Sequence, residues 1–182
     1  MSRYDLFTTP FWKFEEKPVE GAYEWALSMK EKDPNGVRLS NYGGWQSHSY
    51  FSHMFPYGKH IASILSKYSY FQKFVTTNWW VNINQKGNLN MPHTHPGSEL
   101  SGIWYITDNH GSLGFIDPSN HTRSSLYVTK ILEKENIFID CKAGELLIFP
   151  SDVRHMVRPH KLDTNRISVS FNMVIPDLGI NS

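Results

Sequence analysis

From Thr77 onward the chain is cut into short pieces. Apolar or alternating runs follow one another as WWVNIN, LNMPHTH, SGIWYI, SLGFI, SSLYVT, NIFID, ELLIF, RHMVR and RISVSFNMVI, split by Gly, Pro, Asn and Asp. None is long enough for a helix, and about nine such runs over about 100 residues describe an all-β sandwich or barrel. Before Thr77 the period changes. From Pro18 to Lys32, the residues Val19, Ala22, Tyr23, Ala26 and Met29 fall at helical spacing, with Pro18 near the start and DPNG at 33–36 as the stop. A second helical pattern covers 59–74, with Ile61, Ile64, Leu65, Tyr68 and Phe71 on one face. Between them, RLSNYGGWQSHSYF carries the Gly43–Gly44 pair and reads as a loop. The expectation is a mainly β fold, a barrel or jelly roll over about 77–176. Two helices from an N-terminal support of about 1–76 pack outside it. At 182 residues this fits one domain with a buried core.

Composition removes several function classes. The net charge is +1 and the basic residues are scattered, whereas a polyanion-binding surface needs a clustered excess, so nucleic acid is not the expected partner. The single cysteine, Cys141, excludes an internal disulfide framework and a Cys-based zinc site, and suits a reducing cytoplasm. The opening MSRYDLFTTPFWKF has no apolar core of a signal peptide, and runs such as LLIF are too short to span a bilayer. The expectation is a soluble, cytoplasmic protein with no membrane partner and an undetermined oligomeric state. What stands out is the aromatic content of 14% and the nine histidines.

Two of those histidines lie in PHTHPG at 92–97. His93 and His95, two apart on a predicted strand, share a face, with Cα atoms roughly 6.6 Å apart, which lets two imidazoles reach one metal. His-x-His alone also describes two neighbouring surface histidines. The wider spacing, with Gly87 six before His93 and Glu99 four after His95, gives G-x5-H-x-H-x3-E, and GELLIFPSDVRH adds G-x5-P and then His155. These two blocks resemble the paired motifs of the cupin superfamily, with departures at Ile106, Asp152 and Pro159. The resemblance implies that a distant strand brings a third ligand, His155, to the first pair. By itself His155 also fits a half-buried histidine after the turn PSD. Imidazole ligands suit iron, nickel, copper, manganese or zinc.

Eleven residues after His155 comes Arg166, in RISVSFN. Alternation places Arg166, Ser168, Ser170 and Asn172 on one strand face, and Ile167, Val169 and Phe171 on the other. The polar face either meets solvent or points into the barrel beside the metal, where a guanidinium fork binds a carboxylate and a serine hydroxyl adds a bond. The order of His pair, distal His and R-x-S resembles the Fe(II)/2-oxoglutarate-dependent oxygenases, and in particular a small family of them known mainly from marine bacteria and their phages. SNYGGWQS (40–47), HTHPGSELSGIWYI (93–106), FIDP (115–118), GELLIFPSDVRHMV (144–157) and RISVSFN (166–172) carry the resemblance.

The resemblance implies a cupin-like double-stranded β-helix (jelly roll) that uses Fe(II) and 2-oxoglutarate. His93, His95 and His155 would hold the metal. Arg166 and Ser168 would anchor the far carboxylate of 2-oxoglutarate, with Tyr105 donating its phenol nearby; Tyr105 also fits a core or rim tyrosine. The activity implied is a dioxygenase that couples oxidative decarboxylation of 2-oxoglutarate to hydroxylation of a small-molecule or peptide substrate, and a peptidyl or amino-acid substrate fits the wider superfamily. His95 stands where the general oxygenase pattern has an acid. That leaves either three histidines or a carboxylate from elsewhere, Glu99 first and then Asp152; the resemblance to the smaller family, which shares the H-x-H form, implies three histidines as ligands. The rivals are a cupin-type metalloenzyme that does not use 2-oxoglutarate, and a non-catalytic jelly roll that binds a metal or small acid. Asn82 and Asn84 share a strand face and either line the cavity or are solvated. GGWQS at 43–47 is either a lid or a packed connection. Trp79, Trp80, Phe115, Phe138 and Phe149 read as core. His48, His53, His60, His110, His121 and His160 read as surface. Arg123, in the polar segment 117–125, is a candidate substrate contact.

Overall fold

The structure is a computed structural model that describes residues 8–117 and 136–176. Its strands are β1 (Trp12–Phe14), β2 (Asn41–Tyr42), β3 (Trp45–Gln46), β4 (Tyr50–Phe51), β5 (Val75–Asn84), β6 (Leu89–His93), β7 (Leu100–Tyr105), β8 (Leu113–Ile116), β9 (Asn136–Ile139), β10 (Leu146–Pro150), β11 (His155–Val157) and β12 (Arg166–Val174). They form two antiparallel sheets. The larger runs β1-β10-β7-β12-β5-β3, with β4 also paired to β5, and the smaller runs β2-β6-β11-β8-β9. This is the mainly β, jelly-roll architecture expected of the chain. Eight of the nine runs read from the sequence are strands, and the ninth, SSLYVT, lies outside the described residues.

The alternation of β12 sorts the interior into two layers. Ile167, Val169, Phe171 and Met173 face the helices, in a cluster with Leu100, Trp104, Leu146 and Ile148. Ile103, Tyr105, Leu147 and Phe149 face the other way, toward Leu113 and Cys141 of the smaller sheet's side. All six residues of β7 are buried because both of its faces are covered. This also explains why ELLIF reads as an unbroken apolar run rather than an alternating one.

Helix α1 (Ala22–Lys32) and helix α2 (Gly58–Leu65) cover the larger sheet through Ala22 and Ala26, and through Ile61, Ile64 and Leu65. Helix α1 starts four residues later than Pro18, because Gly21 takes a left-handed conformation, φ 77°. The expected 59–74 helix is two pieces. After Leu65 the chain turns, Tyr68 is extended, and a short 3-10 turn over Ser69–Lys73 buries Phe71. Ser63 and Ser66 bond backward through their hydroxyls to His60 and Ser63 carbonyls, the local competition that weakens helices. The N-terminal third also contributes four short strands that the periodicity did not reveal. With two or three residues each, they are too short to show a period of two. Among the described residues, no helix is long and apolar enough to cross a membrane.

Candidate metal centre

His93 closes β6, His155 opens β11, and the two are direct cross-strand partners. The pairing then slips: Val157 faces Asn90, so two steps along β11 oppose three along β6. That extra residue is a β-bulge at Met91–Pro92. In a regular strand Asn90 and His93, three apart, would point to opposite faces. The bulge re-aims His93 so that both line the same cavity. Pro92 suits it, having no N–H for the ladder. His95 lies beyond the strand end, so the expected same-face strand pair is instead one strand residue and one loop residue. The loop is held by His95 N–H donating to Ser151 O at 2.9 Å and Ser151 N–H donating to Glu99 O at 3.0 Å.

The three imidazoles meet. One nitrogen from each lies within 4.8 Å of the others, and Nε2 of His95 and His155 are 3.2 Å apart. His93 donates Nδ1–H to Met91 O at 2.7 Å, and His155 donates Nδ1–H to Val153 O at 2.9 Å. Each bond leaves Nε2 bare, the tautomer a metal ligand needs. His95 is oriented differently: its ring stacks on Trp80 with centroids 5.4 Å apart. Burial, before any other cause, pushes His93 below the ordinary imidazole range, His95 down to about 4 and His155 down to about 3; the neighbouring imidazoles add to the last two. All three are therefore neutral ligand bases at pH 7. Three convergent neutral nitrogens fit a first-row divalent metal.

Neither carboxylate alternative joins them. Glu99 is exposed and its Oε2 accepts from Ile175 N–H at 3.0 Å. Asp152 is exposed on the turn before β11. Among the described residues, His93, His95 and His155 are the one group of three or more His, Cys, Asp or Glu side chains able to hold a metal.

The same cavity reaches Arg166, Ser168, Tyr105, Asn82 and Asn84. Arg166 and Asn84 are cross-strand partners, and Ser168 sits between Tyr105 on β7 and Asn82 on β5. The polar face of β12 thus points inward. Arg166 is 3% exposed. Its Nη1 donates to Arg158 O at 3.1 Å, while Nη2 is buried without a partner. Burial lowers the guanidinium to about 10, so it stays charged at pH 7. Tyr105 is 3% exposed, its phenol held well above the usual range by burial. Asn82 and Asn84 are buried, not solvated, and each leaves its Oδ1 unpaired.

Other expectations fall as follows. GGWQS is a packed connection, not a lid: Trp45 and Gln46 are buried and pair with Ile83 and Asn82. Trp79 is core, but Trp80 lines the cavity; the sequence offered the signal, since Trp80, Asn82 and Asn84 share one strand face. Phe149 is core and also walls the cavity. His160 is buried, not surface: its ring bonds Thr164 O at 2.8 Å and its backbone clamps Gly87 and Asn88. Ser40 and Asn90 also line the cavity, and no spacing in the sequence pointed to them. Arg123 and His121 lie outside the described residues.

A cupin-like jelly roll that gathers a histidine triad and a buried guanidinium around one cavity defines a class of metal-dependent enzyme fold. Residues 78–172, just over half of the chain, match the family described as "Putative 2OG-Fe(II) oxygenase". The chain belongs to that family, whose metal and co-substrate are iron and 2-oxoglutarate. No curated protein matches it. Solved structures share its fold at low identity. HygX from Streptomyces hygroscopicus, solved with nickel, 2-oxoglutarate and hygromycin B, is 12% identical over 93% of this chain and 84% of that one, with a TM-score of 0.62. The non-heme alpha ketoglutarate dependent carbocyclase SnoK from nogalamycin biosynthesis is 12% identical over 91% and 79%, with a TM-score of 0.64. AviO1 from Streptomyces viridochromogenes Tue57 is 10% identical over 93% and 91%, with a TM-score of 0.60.

Proposed function

We propose that this protein is an Fe(II)- and 2-oxoglutarate-dependent oxygenase that hydroxylates a small-molecule or peptidyl substrate. The observation that carries the reading is Arg166: a buried, charged guanidinium with one nitrogen unpartnered, opening into the cavity that holds the histidine triad. A buried cation without a carboxylate is costly, and an acidic guest removes the cost. No ion pair to Arg166 exists among the described residues.

His93, His95 and His155 hold the metal through neutral nitrogens. Arg166 and Ser168 take the far carboxylate of 2-oxoglutarate, with the Tyr105 phenol beside them. Phe149 and Phe115 close the wall behind His155, with ring centroids 4.8 and 6.2 Å from it, and exclude water there. Bound Fe(II) supplies the redox chemistry by which O2, 2-oxoglutarate and a substrate C–H bond become succinate, carbon dioxide and a C–OH group. Trp80, half-buried and stacked on His95, forms part of the lining the substrate meets. HygX holds hygromycin B in a similar fold, which supports a small molecule as substrate. The cupin rival needs Glu99 on the metal or Arg166 outside the cavity, and the geometry favours neither. The single cysteine, Cys141, suits a reducing cytoplasm.

The test is turnover of 2-oxoglutarate to succinate by the purified chain under air, with and without added Fe(II). Iron-dependent succinate formation is the expected result. No succinate at millimolar 2-oxoglutarate, with iron bound and the fold intact, would overturn the proposal.

A further inference from the structure

Beside Arg166 the cavity ends in a chain of amides that the roles above leave unused. Asn84 Nδ2 donates to Asn90 Oδ1 at 3.2 Å, and Asn90 Nδ2 donates to Ser40 Oγ at 3.2 Å. Asn84 is 4% exposed and Asn90 6%, and Ser40, Asn84 and Asn90 all line the cavity. The other end of the Asn84 amide is pressed against backbone. A methyl group on Gly44 would overlap Asn84 Oδ1. Gly44 does not line the cavity.

This seat favours one facing of the amide. Turned over alone, it would put its NH2 group against the Cα of Gly44 and set Oδ1 against Asn90 Oδ1, acceptor to acceptor; turned over together with Asn90, with the Ser40 hydroxyl donating, it would remake the chain and still press its NH2 group on Gly44. The orientation seen leaves Oδ1 buried and unpaired, which is unusual for a buried polar atom. What that arrangement secures is a nitrogen on the cavity side. An amide nitrogen has two hydrogens, and Asn90 takes one. The second is free to donate into the cavity, next to the cross-strand partner Arg166 and its unpaired Nη2.

We infer that Asn84, seated by Gly44 and held by Asn90 and Ser40, is a specificity-determining residue that donates its second N–H to the far carboxylate of the co-substrate. The inference rests on the 2-oxoglutarate reading of Arg166. Arg166 supplies the charge and Asn84 supplies direction. A carboxylate has two oxygens with lone pairs for both donors. A 2-oxo acid that ends in a methyl group satisfies neither.

The experiment is anaerobic calorimetry on the full chain loaded with nickel, titrated with 2-oxoglutarate and, separately, with oxalate, which keeps a metal-chelating end and lacks the far carboxylate. Asn84→Leu removes the donor at nearly the same shape without setting a new charge beside Arg166. It should weaken 2-oxoglutarate by about 10-fold or more while oxalate changes by less than about threefold. Gly44→Ala leaves Asn84 in place but displaces its amide, and should lower 2-oxoglutarate affinity in the same selective way; it carries the test if the Leu variant does not fold. If both variants bind 2-oxoglutarate like wild type while Arg166→Ala does not, the role of Asn84 is overturned and the proposed function stands. If oxalate falls in step with 2-oxoglutarate, the effect is general to the cavity and the inference is again overturned. If Arg166→Ala also binds normally, the 2-oxoglutarate reading itself fails.

Discussion

Replacing Arg166 should separate stability from binding. The guanidinium is 3% exposed and burial takes it from its ordinary 12.5 down to about 10, which corresponds to roughly 3 kcal/mol of lost solvation for the charged form. Against this the fold gains one charge-assisted bond to Arg158 O at 3.1 Å, worth about 1.5–3 kcal/mol. In the ligand-free protein the two nearly cancel. Arg166→Met, which keeps much of the volume, should therefore leave metal-free stability within about 1 kcal/mol of wild type or raise it, as when buried charges give way to apolar groups.

Binding should respond in the opposite sense. Losing one partner of a buried charged contact costs about 2–5 kcal/mol, a fall in 2-oxoglutarate affinity of at least about 30-fold. Lysine should rescue only part of it, since it keeps the charge and loses the fork. Thermal unfolding reads both effects at once. In wild type, 2-oxoglutarate at 100 times Kd adds about 2.7 kcal/mol, or about 5–11 °C for a chain of this size. In Arg166→Met the same concentration should move Tm by no more than about a third as much, less than about 3.5 °C. A variant that loses several kcal/mol of ligand-free stability, yet keeps the full 2-oxoglutarate shift, would show Arg166 to be a structural residue and refute the reasoning.

Three further outcomes follow from the triad. His93→Ala and His155→Ala together should abolish stoichiometric metal in a protein that still folds, checked by elemental analysis and circular dichroism; retained metal would remove the triad from consideration. Glu99→Gln should leave metal affinity within about threefold, below roughly 0.7 kcal/mol, because Glu99 serves Ile175 N–H instead; a loss of two orders of magnitude in a metal competition assay would make it a ligand. Metal-free protein should lose stability between about pH 6.5 and 3. His95 and His155 titrate lower folded than unfolded, so the unfolded chain takes up protons first and stability, full above pH 6.5, falls with pH. Asp108, also lowered when folded, acts in the same direction only from about 3.8 downward. Urea midpoints that are flat from pH 7.5 to 5 would contradict this.

The strands were legible in the sequence where burial is one-sided or complete. Arg166 to Asn172 alternates because each face meets a different layer, and Leu146 to Phe149 is continuous because both faces are covered. The four strands before Thr77 were not legible, since their residues pair only at the margins of sheets whose other members lie far along the chain. His93 and His155 were found by spacing and Arg166 by strand parity. The cause assigned to the first pair was incomplete: His95 comes from a loop and owes its place to Ser151 and Trp80. Ser40 and Asn90 could not be found, because their meeting with Asn84 depends on how three separate segments fold onto one another. His160 was misjudged because its burial comes from contacts with Gly87 and Asn88, more than seventy positions away.

The bulge at Met91–Pro92 means that the triad is encoded by a count as well as by identities. Deleting either residue would leave every histidine and almost the whole hydrophobic pattern intact. The ladder between β6 and β11 would then run evenly, and His93 would leave the interior. Point substitutions at 91 and 92 keep the count, and Met91 already projects to solvent at 55% exposure. Viable relatives of this chain should therefore vary freely in the residue at 91 while conserving the distance from Asn90 to His93, so that a one-residue gap in this stretch marks a lineage that has lost, or rebuilt, the seat of His93 in the cavity.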